Sequence, residues 1–170
     1  MMNKKVETAL NKQLNREFFS SYLYLSMAGY LEQTGFPGTA KWMRIQAGEE
    51  YIHAMKFFEY IFSRQGILQL QKIDAPPNKF KSLRDIFDKT LEHELSITKH
   101  INELIYLARD EKDNATETLL QWFVQEQVEE ESNVKTILDK MKLIGNTGAA
   151  LYFLDQELGQ RTIATAPPAN

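Results

Sequence analysis

Apolar residues recur at alternating steps of three and four along four long stretches of the chain, and a shorter amphipathic stretch follows them. This spacing keeps the apolar side chains on one face of an α-helix and is typical of packed helical bundles. Glycine and proline residues separate the stretches. The pattern predicts an all-α fold whose helices span about residues 5–34, 39–65, 82–110, 114–144 and 148–159.

The lengths of the connections predict how these helices are arranged. The first and third links are short, so each joins two antiparallel helices. The link at 67–81 contains Pro76-Pro77 and could span roughly 50 Å when extended, whereas a helix of this length spans roughly 40 Å. It can therefore cross the whole bundle. We expect a four-helix bundle with one long crossover and a short fifth helix, with Thr39 capping the second helix.

A single glutamate interrupts the apolar stripe of each long helix: Glu17, Glu50, Glu94 and Glu130. A carboxylate on a buried face is costly unless it is paired or bound to a cation. None of the stripes supplies a central Lys or Arg, and His53 follows Glu50 at a spacing that lets both side chains bind one ion. The pattern therefore predicts metal ions at the centre of the bundle.

The predicted turns bring the four glutamates to similar heights. Glu94 and Glu130 lie symmetrically about the third link. Glu17 and Glu50 are less symmetric about the first link, and the boundaries above leave an offset of about 9 Å between them along the bundle axis.

Composition narrows the chemistry. The chain has 170 residues and a net charge of −3, which indicates one domain over about residues 1–160 and argues against nucleic acid as a partner. The absence of cysteine leaves oxygen and imidazole ligands, which suit iron or manganese better than copper, with zinc as an alternative. Without a membrane span or a signal-like amino terminus, we expect a cytoplasmic protein. We expect residues 161–170 to form a disordered tail.

At these residues the chain resembles the ferritin family over nearly its whole length. The second helix carries Glu50-x-x-His53, whereas the fourth carries Gln127-x-x-Glu130 where bacterioferritin would have a second histidine motif. The chain is therefore more similar to non-haem ferritins. Tyr51 also stands where bacterioferritin has its haem-binding methionine, so the resemblance implies no haem.

The resemblance implies a ligand set for two iron ions. Glu17, Glu50 and His53 would form the first site, and Glu94, Glu130 and a bridging Glu50 the second. Gln127 would lie beside them. Tyr24 matches a tyrosine that ferritins keep near this centre, where it would donate an electron or hydrogen-bond a ligand; a buried tyrosine with a satisfied hydroxyl is the alternative.

A second acidic cluster adjoins the first. Glu49 precedes Glu50 by one residue, and Glu126 and Glu129 each precede a position of the first set on the fourth helix. In prokaryotic ferritins such a trio binds a third iron. The alternative is a solvated acidic face that also includes Glu131.

Other candidates carry weaker signals. His93 and His100 could bind a metal, although exposed histidines are commoner. Glu117 matches an acidic position that lines the three-fold ion channel of ferritin shells, but Leu120 stands where many relatives have a second acid. The apolar stripe of the fifth helix could pack on its own bundle or, as in ferritins, meet symmetry mates around a four-fold axis.

The resemblance implies that the chain takes Fe²⁺, oxidises it with O₂ or H₂O₂ as a ferroxidase, and stores ferric oxyhydroxide inside a hollow homo-oligomer of about 24 subunits. Two alternatives remain open. A non-storage diiron oxidase or peroxidase of the rubrerythrin-like class could use the same ligands. A purely structural bundle would need its buried glutamates neutral or paired with cations.

Overall fold

The structure, a computed structural model, describes residues 2–162 and is all-α over that range, as predicted. The remainder of the expected tail, residues 163–170, lies outside the described residues. The five helices are α1 (Lys4–Gln33), α2 (Pro37–Ser63), α3 (Leu83–Asp110), α4 (Asn114–Ile144) and α5 (Gly148–Leu158).

Side-chain oxygens accept backbone N–H groups at the start of four of these helices, which satisfies donors that have no partner within a helix. The capping residues are Asn3, Ser82, Asp113 and Thr147. The second helix differs, because it begins at Pro37 after a Phe36 that makes no side-chain cap. The expected cap at Thr39 is therefore wrong. Its amino terminus is instead capped by Asp155 of α5, whose Oδ1 accepts the backbone N–H of Thr39 at 2.7 Å.

The long link between α2 and α3 crosses the length of the bundle, as predicted, and the structure shows that it runs along α1. Residues further along the link form hydrogen bonds with residues further along α1. The link therefore runs in the same direction as that helix. The contacts join Ile67 to Glu7, Gln69 to Asn11, Lys72 to Asn15 and Pro77 to Ser26. Because the link carries the chain along α1 back towards the start of α2, α3 runs parallel to α2.

The apolar core is divided into two parts by a polar layer. One part includes Tyr24, Met27 and Met43, and the other includes the stacked rings of Phe57 and Phe123, whose centroids lie 4.2 Å apart. In each long helix, the interrupting glutamate falls between the residues of the two parts. All four glutamates therefore belong to one layer across the middle of the bundle.

No helix within residues 2–162 combines the length and apolar character that crossing a membrane requires.

Candidate metal centre

Three potential ligands meet in the polar layer. One ligand atom from each of Glu17, Glu50 and His53 lies within 4.8 Å of the other two, and all three residues are buried. The Nδ1 atom of His53 is 3.4 Å from Glu50 Oε2. This spacing is compatible with a single divalent ion that draws the three groups together.

The positions of Glu17 and Glu50 along the bundle axis depend on where α2 begins, which is two residues earlier than predicted. Because α1 ends at Gln33 and α2 begins at Pro37, the middle of the turn lies closer to the mean position of the two glutamates than the predicted boundaries implied. At 1.5 Å per residue, the expected offset falls to about half of 9 Å. Glu17 and Glu50 therefore lie at similar heights in the bundle, which allows their carboxyl groups to approach each other.

Glu94 and Glu130 are also buried in this layer, but each is held by neutral donors. Glu94 accepts a hydrogen bond from the hydroxyl of Tyr24. Glu130 Oε2 accepts one from Gln46 Nε2 at 2.6 Å. Neither carboxylate belongs to the close group of Glu17, Glu50 and His53. Both nevertheless lie close enough to Glu50 for its charge to affect their pKa values.

Buried glutamine amides supply hydrogen bonds to all four carboxylates. Gln13 donates to Glu17 at 2.7 Å, Gln46 to both Glu50 and Glu130, and Gln127 to Glu94 at 3.1 Å. Of these three glutamines, only Gln127 was predicted from the sequence. The signal for the other two is their spacing, since Gln13 and Gln46 each precede a layer glutamate by four residues on the same helix face.

Burial raises the pKa values of these carboxyl groups. It raises the pKa of Glu17 to about 8, with the neighbouring Glu50 adding to the shift. Burial, followed by the charge of Glu50, also raises the pKa of Glu130 to about 7 and that of Glu94 well above its usual range. Burial lowers the pKa of His53, but contacts with Glu126 and Glu50 outweigh it and leave the pKa well above the usual value. Because a raised pKa favours the protonated form, these carboxyl groups tend towards their neutral forms without metal, whereas His53 tends towards its positively charged form.

Within residues 2–162, no lysine or arginine forms an ion pair with any of the four layer glutamates. In addition, Glu17 Oε2 is buried without a hydrogen-bond partner among the described residues. A buried carboxylate oxygen without a donor is costly unless a cation binds it. These residues fit divalent metal ions, and the oxygen-rich donor set with one imidazole suits iron.

The second acidic cluster lies beside this layer and is more exposed. Glu126 Oε2 is 3.8 Å from His53 Nε2, so it reaches the edge of the centre. Glu49 is partly buried and binds Arg161 through its Oε2 atom. Glu129 lies exposed on the surface. The three residues form no close ligand group of their own among the described residues.

Comparison with known proteins shows which family has this arrangement. A family model described as a ferritin-like domain matches residues 7–144. The chain belongs to the ferritin family.

The similarity to individual ferritins extends over almost the whole chain. A probable bacterial non-heme ferritin-like protein of Haemophilus influenzae is 42% identical over 159 residues, which cover 94% of this chain and 96% of the relative. A bacterial non-heme ferritin of Bacteroides fragilis is 42% identical over 161 residues, or 95% of this chain and all of the relative. The structure of an open pore ferritin from the archaeon Archaeoglobus fulgidus is 45% identical, has a TM-score of 0.94 and covers 95% of this chain and 100% of that one.

The remaining histidines of this ferritin lie outside the three-ligand group. His93 Nε2 lies 2.7 Å from Ser20 Oγ, and its ring meets the edge of Tyr24 at a centroid distance of 5.8 Å. Burial lowers the pKa of His93, so this side chain favours the neutral form. His100 has a buried Nδ1 without a hydrogen-bond partner among the described residues, and the structure assigns it no role in the metal centre.

Two other residues singled out from the sequence lie on the surface of this ferritin. Glu117, the candidate channel residue, binds Arg109 at 2.7 Å. Tyr51, at the position of the bacterioferritin methionine, is half exposed and packs its ring beside Phe18. Neither side chain points into the polar layer.

The fifth helix packs one face on its own bundle. Leu154 and Leu158 are buried in the apolar core part that contains Tyr24. Tyr152 and Phe153 on the same helix remain exposed. The helix therefore docks on the subunit and still presents aromatic side chains to its surroundings.

Proposed function

We propose that this ferritin binds Fe²⁺ as a substrate in its polar layer, oxidises it to Fe³⁺ and stores the ferric product. The observation that carries this proposal is the buried group of Glu17, Glu50 and His53, which within residues 2–162 has no Lys or Arg partner and contains a carboxylate oxygen without a hydrogen-bond partner. The purely structural alternative finds no Lys or Arg partner for these groups within residues 2–162 and would require the carboxyl groups to stay neutral.

Each residue of the layer has a proposed role. Glu17, Glu50 and His53 hold the first Fe²⁺, and Glu94 and Glu130 hold the second together with Glu50. Gln13, Gln46 and Gln127 orient the carboxylates through the amide hydrogen bonds described above. Such neutral donors position ligands without competing for the negative charge that the cations need. The donor Gln46, which Glu50 and Glu130 share, supports the pairing of these two carboxylates.

The proposed chemistry is the transfer of electrons from iron to a diffusible oxidant. Two Fe²⁺ ions each lose one electron, and O₂ takes up both electrons and two protons to become H₂O₂; alternatively, H₂O₂ takes up two electrons and two protons to become two waters. The carboxylates stabilise the higher charge of Fe³⁺. Tyr24 hydrogen-bonds Glu94, which supports a role in orienting a ligand.

A third iron is proposed at Glu49, Glu126 and Glu129. The approach of Glu126 to His53 supports a connection between this cluster and the layer. The partial exposure of the three side chains supports passage of iron between the buried layer and the outside. Mineral would then collect inside an assembled shell.

Self-association into that shell is supported by the exposed apolar side chains. They include Tyr22, Leu25 and Ile52 on the first helix pair and Phe153 on α5. Exposed apolar surface of this kind is usual at interfaces between subunits. A shell of 24 subunits of 19.7 kDa would have a mass of roughly 470 kDa. A small species that oxidises Fe²⁺ would instead favour the rubrerythrin-like alternative.

The proposal is tested by the variants Glu50→Ala and His53→Ala in the assembled protein. Each variant removes a ligand of the close group, so we expect aerobic Fe²⁺ oxidation to slow by about 100-fold. The rate is measured from the increase in absorbance as the ferric product forms. Glu59→Ala is the matched control, since Glu59 lies exposed on the same helix. Oxidation at the wild-type rate in both ligand variants would overturn the proposal.

A further inference from the structure

Arg161 follows α5 and lies against the acidic edge of the metal centre. Its Nη2 atom donates to Glu49 Oε2 at 2.5 Å, and its Nη1 atom donates to Gln46 Oε1 at 2.8 Å. The guanidinium carbon also lies 4.3 Å from the centre of the Trp42 ring. A charged side chain with three such contacts is held in one geometry.

The segment that carries Arg161 is fixed along one face of α2. Asp155 accepts hydrogen bonds from the backbone N–H groups of Gly38 and Thr39, and Lys41 Nζ donates to the carbonyl oxygen of Gly159 at 2.8 Å. Gly38 and Thr39 lie about one turn before Trp42 and two turns before Gln46 on the same helix, and Lys41 directly precedes Trp42. The docking of α5 therefore places Arg161 over Glu49.

The contact with Gln46 connects Arg161 to the buried layer. Arg161 uses the amide oxygen of Gln46, while the amide nitrogen of Gln46 donates to Glu130 at 2.6 Å and to Glu50 at 3.3 Å. The amide is therefore oriented by a cation on one side and by two carboxylates on the other. A change in the position of Arg161 would affect how Gln46 donates to both proposed ligands.

We propose that Arg161 is a displaceable counter-ion for Glu49, so that a metal ion reaches this carboxylate only when the guanidinium moves away. The inference rests on the proposed third iron site. Both cations are attracted by the charge of the same carboxylate, and the Arg161 bond already uses its Oε2 atom. Arg161 is a positioning residue in this scheme, since it acts through Glu49 and Gln46 and does not bind iron itself. Metal binding at the acidic cluster thereby becomes coupled to release of the carboxyl-terminal segment.

Calorimetric titration of the metal-free, assembled protein with Zn²⁺ tests this coupling without oxidation. In Arg161→Gln the competing cation is absent, so we expect the weakest class of Zn²⁺ sites to bind about tenfold more tightly than in the wild type. Arg161→Lys keeps the charge and should remain near the wild-type affinity, whereas a merely structural role would make the two variants alike. Lys41→Gln loosens the same segment but keeps the Arg161 charge, so its Zn²⁺ affinity should rise by less than that of Arg161→Gln.

A second measurement follows the segment itself. Hydrogen exchange of the backbone amides at 159–162 should become faster in the wild type when Zn²⁺ fills the weakest sites. Glu49→Gln should weaken Zn²⁺ binding and abolish this increase. Unchanged or weaker binding in Arg161→Gln, with weaker binding in Glu49→Gln, would overturn the role of Arg161 and leave the third site standing. Two Zn²⁺ ions per subunit in the wild type and in Arg161→Gln alike would overturn both.

Discussion

Asp155 on α5 caps the amino terminus of α2 through Thr39, a residue 116 positions earlier in the chain. Its Oδ1 atom accepts from the backbone N–H of Thr39 at 2.7 Å and from the Thr39 hydroxyl at 2.8 Å, and its Oδ2 atom accepts from the backbone N–H of Gly38 at 3.1 Å. A carboxylate at this end of a helix is also favoured by the helix dipole. One buried side chain therefore caps α2 and holds α5 on the bundle.

We expect Asp155→Ala to lower the stability of the metal-free protein by about 2 kcal/mol, because it removes a cap and leaves buried N–H groups without an acceptor. Asp155→Asn keeps one oxygen acceptor and should lose less. Chemical denaturation followed by circular dichroism measures both effects. Equal stability of Asp155→Ala and the wild type would show that water replaces the carboxylate at no cost.

The same contact predicts an effect of adding a methyl group to Gly38. A Cβ atom at this position would lie 1.9 Å from the backbone oxygen of Asp155, so Gly38→Ala must push α5 away from α2. Gly29→Ala is the matched control, since it lies within α1 and its Cβ meets nothing within 4 Å. We expect Gly38→Ala to expose α5 to proteolysis, while Gly29→Ala gains up to about 1 kcal/mol of stability from helix propensity. Similar proteolysis of the two variants would contradict the close packing.

Helix periodicity was sufficient to locate the polar layer, because Glu17, Glu50, Glu94 and Glu130 interrupt stripes that are otherwise apolar. The long crossover was also predictable, since the length of the link permits few other arrangements. The residue that caps α2 could not be predicted. Thr39 has a suitable side chain, but the donor groups are satisfied by Asp155, and nothing local to either residue indicates that pairing.

The hydrogen bonds around the metal centre were partly predictable. Gln13 lies four residues before Glu17, so this contact is local and could be inferred from spacing. The bonds from Gln46 to Glu130 and from Arg161 to Glu49 join residues 84 and 112 positions apart. They depend on how the helices pack, which the periodicity of one helix does not specify.

Tyr24 offers a test of hydrogen bonding inside the centre. Burial, with the adjacent Glu94 adding to it, raises the pKa of Tyr24 well above its usual value, so the hydroxyl stays protonated and donates to Glu94. We expect Tyr24→Phe to lower the stability of the metal-free protein by about 1 kcal/mol and to slow Fe²⁺ oxidation, because Glu94 loses a donor. Tyr30→Phe, which alters a ring packed against Phe80, is the control. Wild-type stability and rate in Tyr24→Phe would contradict this role.

The raised pKa of Glu17 predicts how the stability of the metal-free protein depends on pH. This carboxyl has a pKa of about 8 in the folded chain and an ordinary value of 4.5. Between these values the folded state holds a proton that the unfolded state has released. The contribution of Glu17 to the free energy of unfolding is therefore fully present below about pH 4.5 and is lost as the pH rises towards 8. Glu130, with a pKa of about 7, acts in the same direction.

We therefore expect the unfolding temperature of the metal-free protein to fall between about pH 5 and pH 8, and Glu17→Gln to reduce this slope because its side chain does not ionise. Glu59→Gln, on the exposed face of α2, is the control and should keep the wild-type slope. Zn²⁺ displaces the proton from Glu17, so its affinity for the layer should rise with pH over the same range, with proton release measurable by calorimetry in buffers of different ionisation enthalpy. A rise in the stability of the metal-free protein with pH would show that these carboxylates are already ionised without metal.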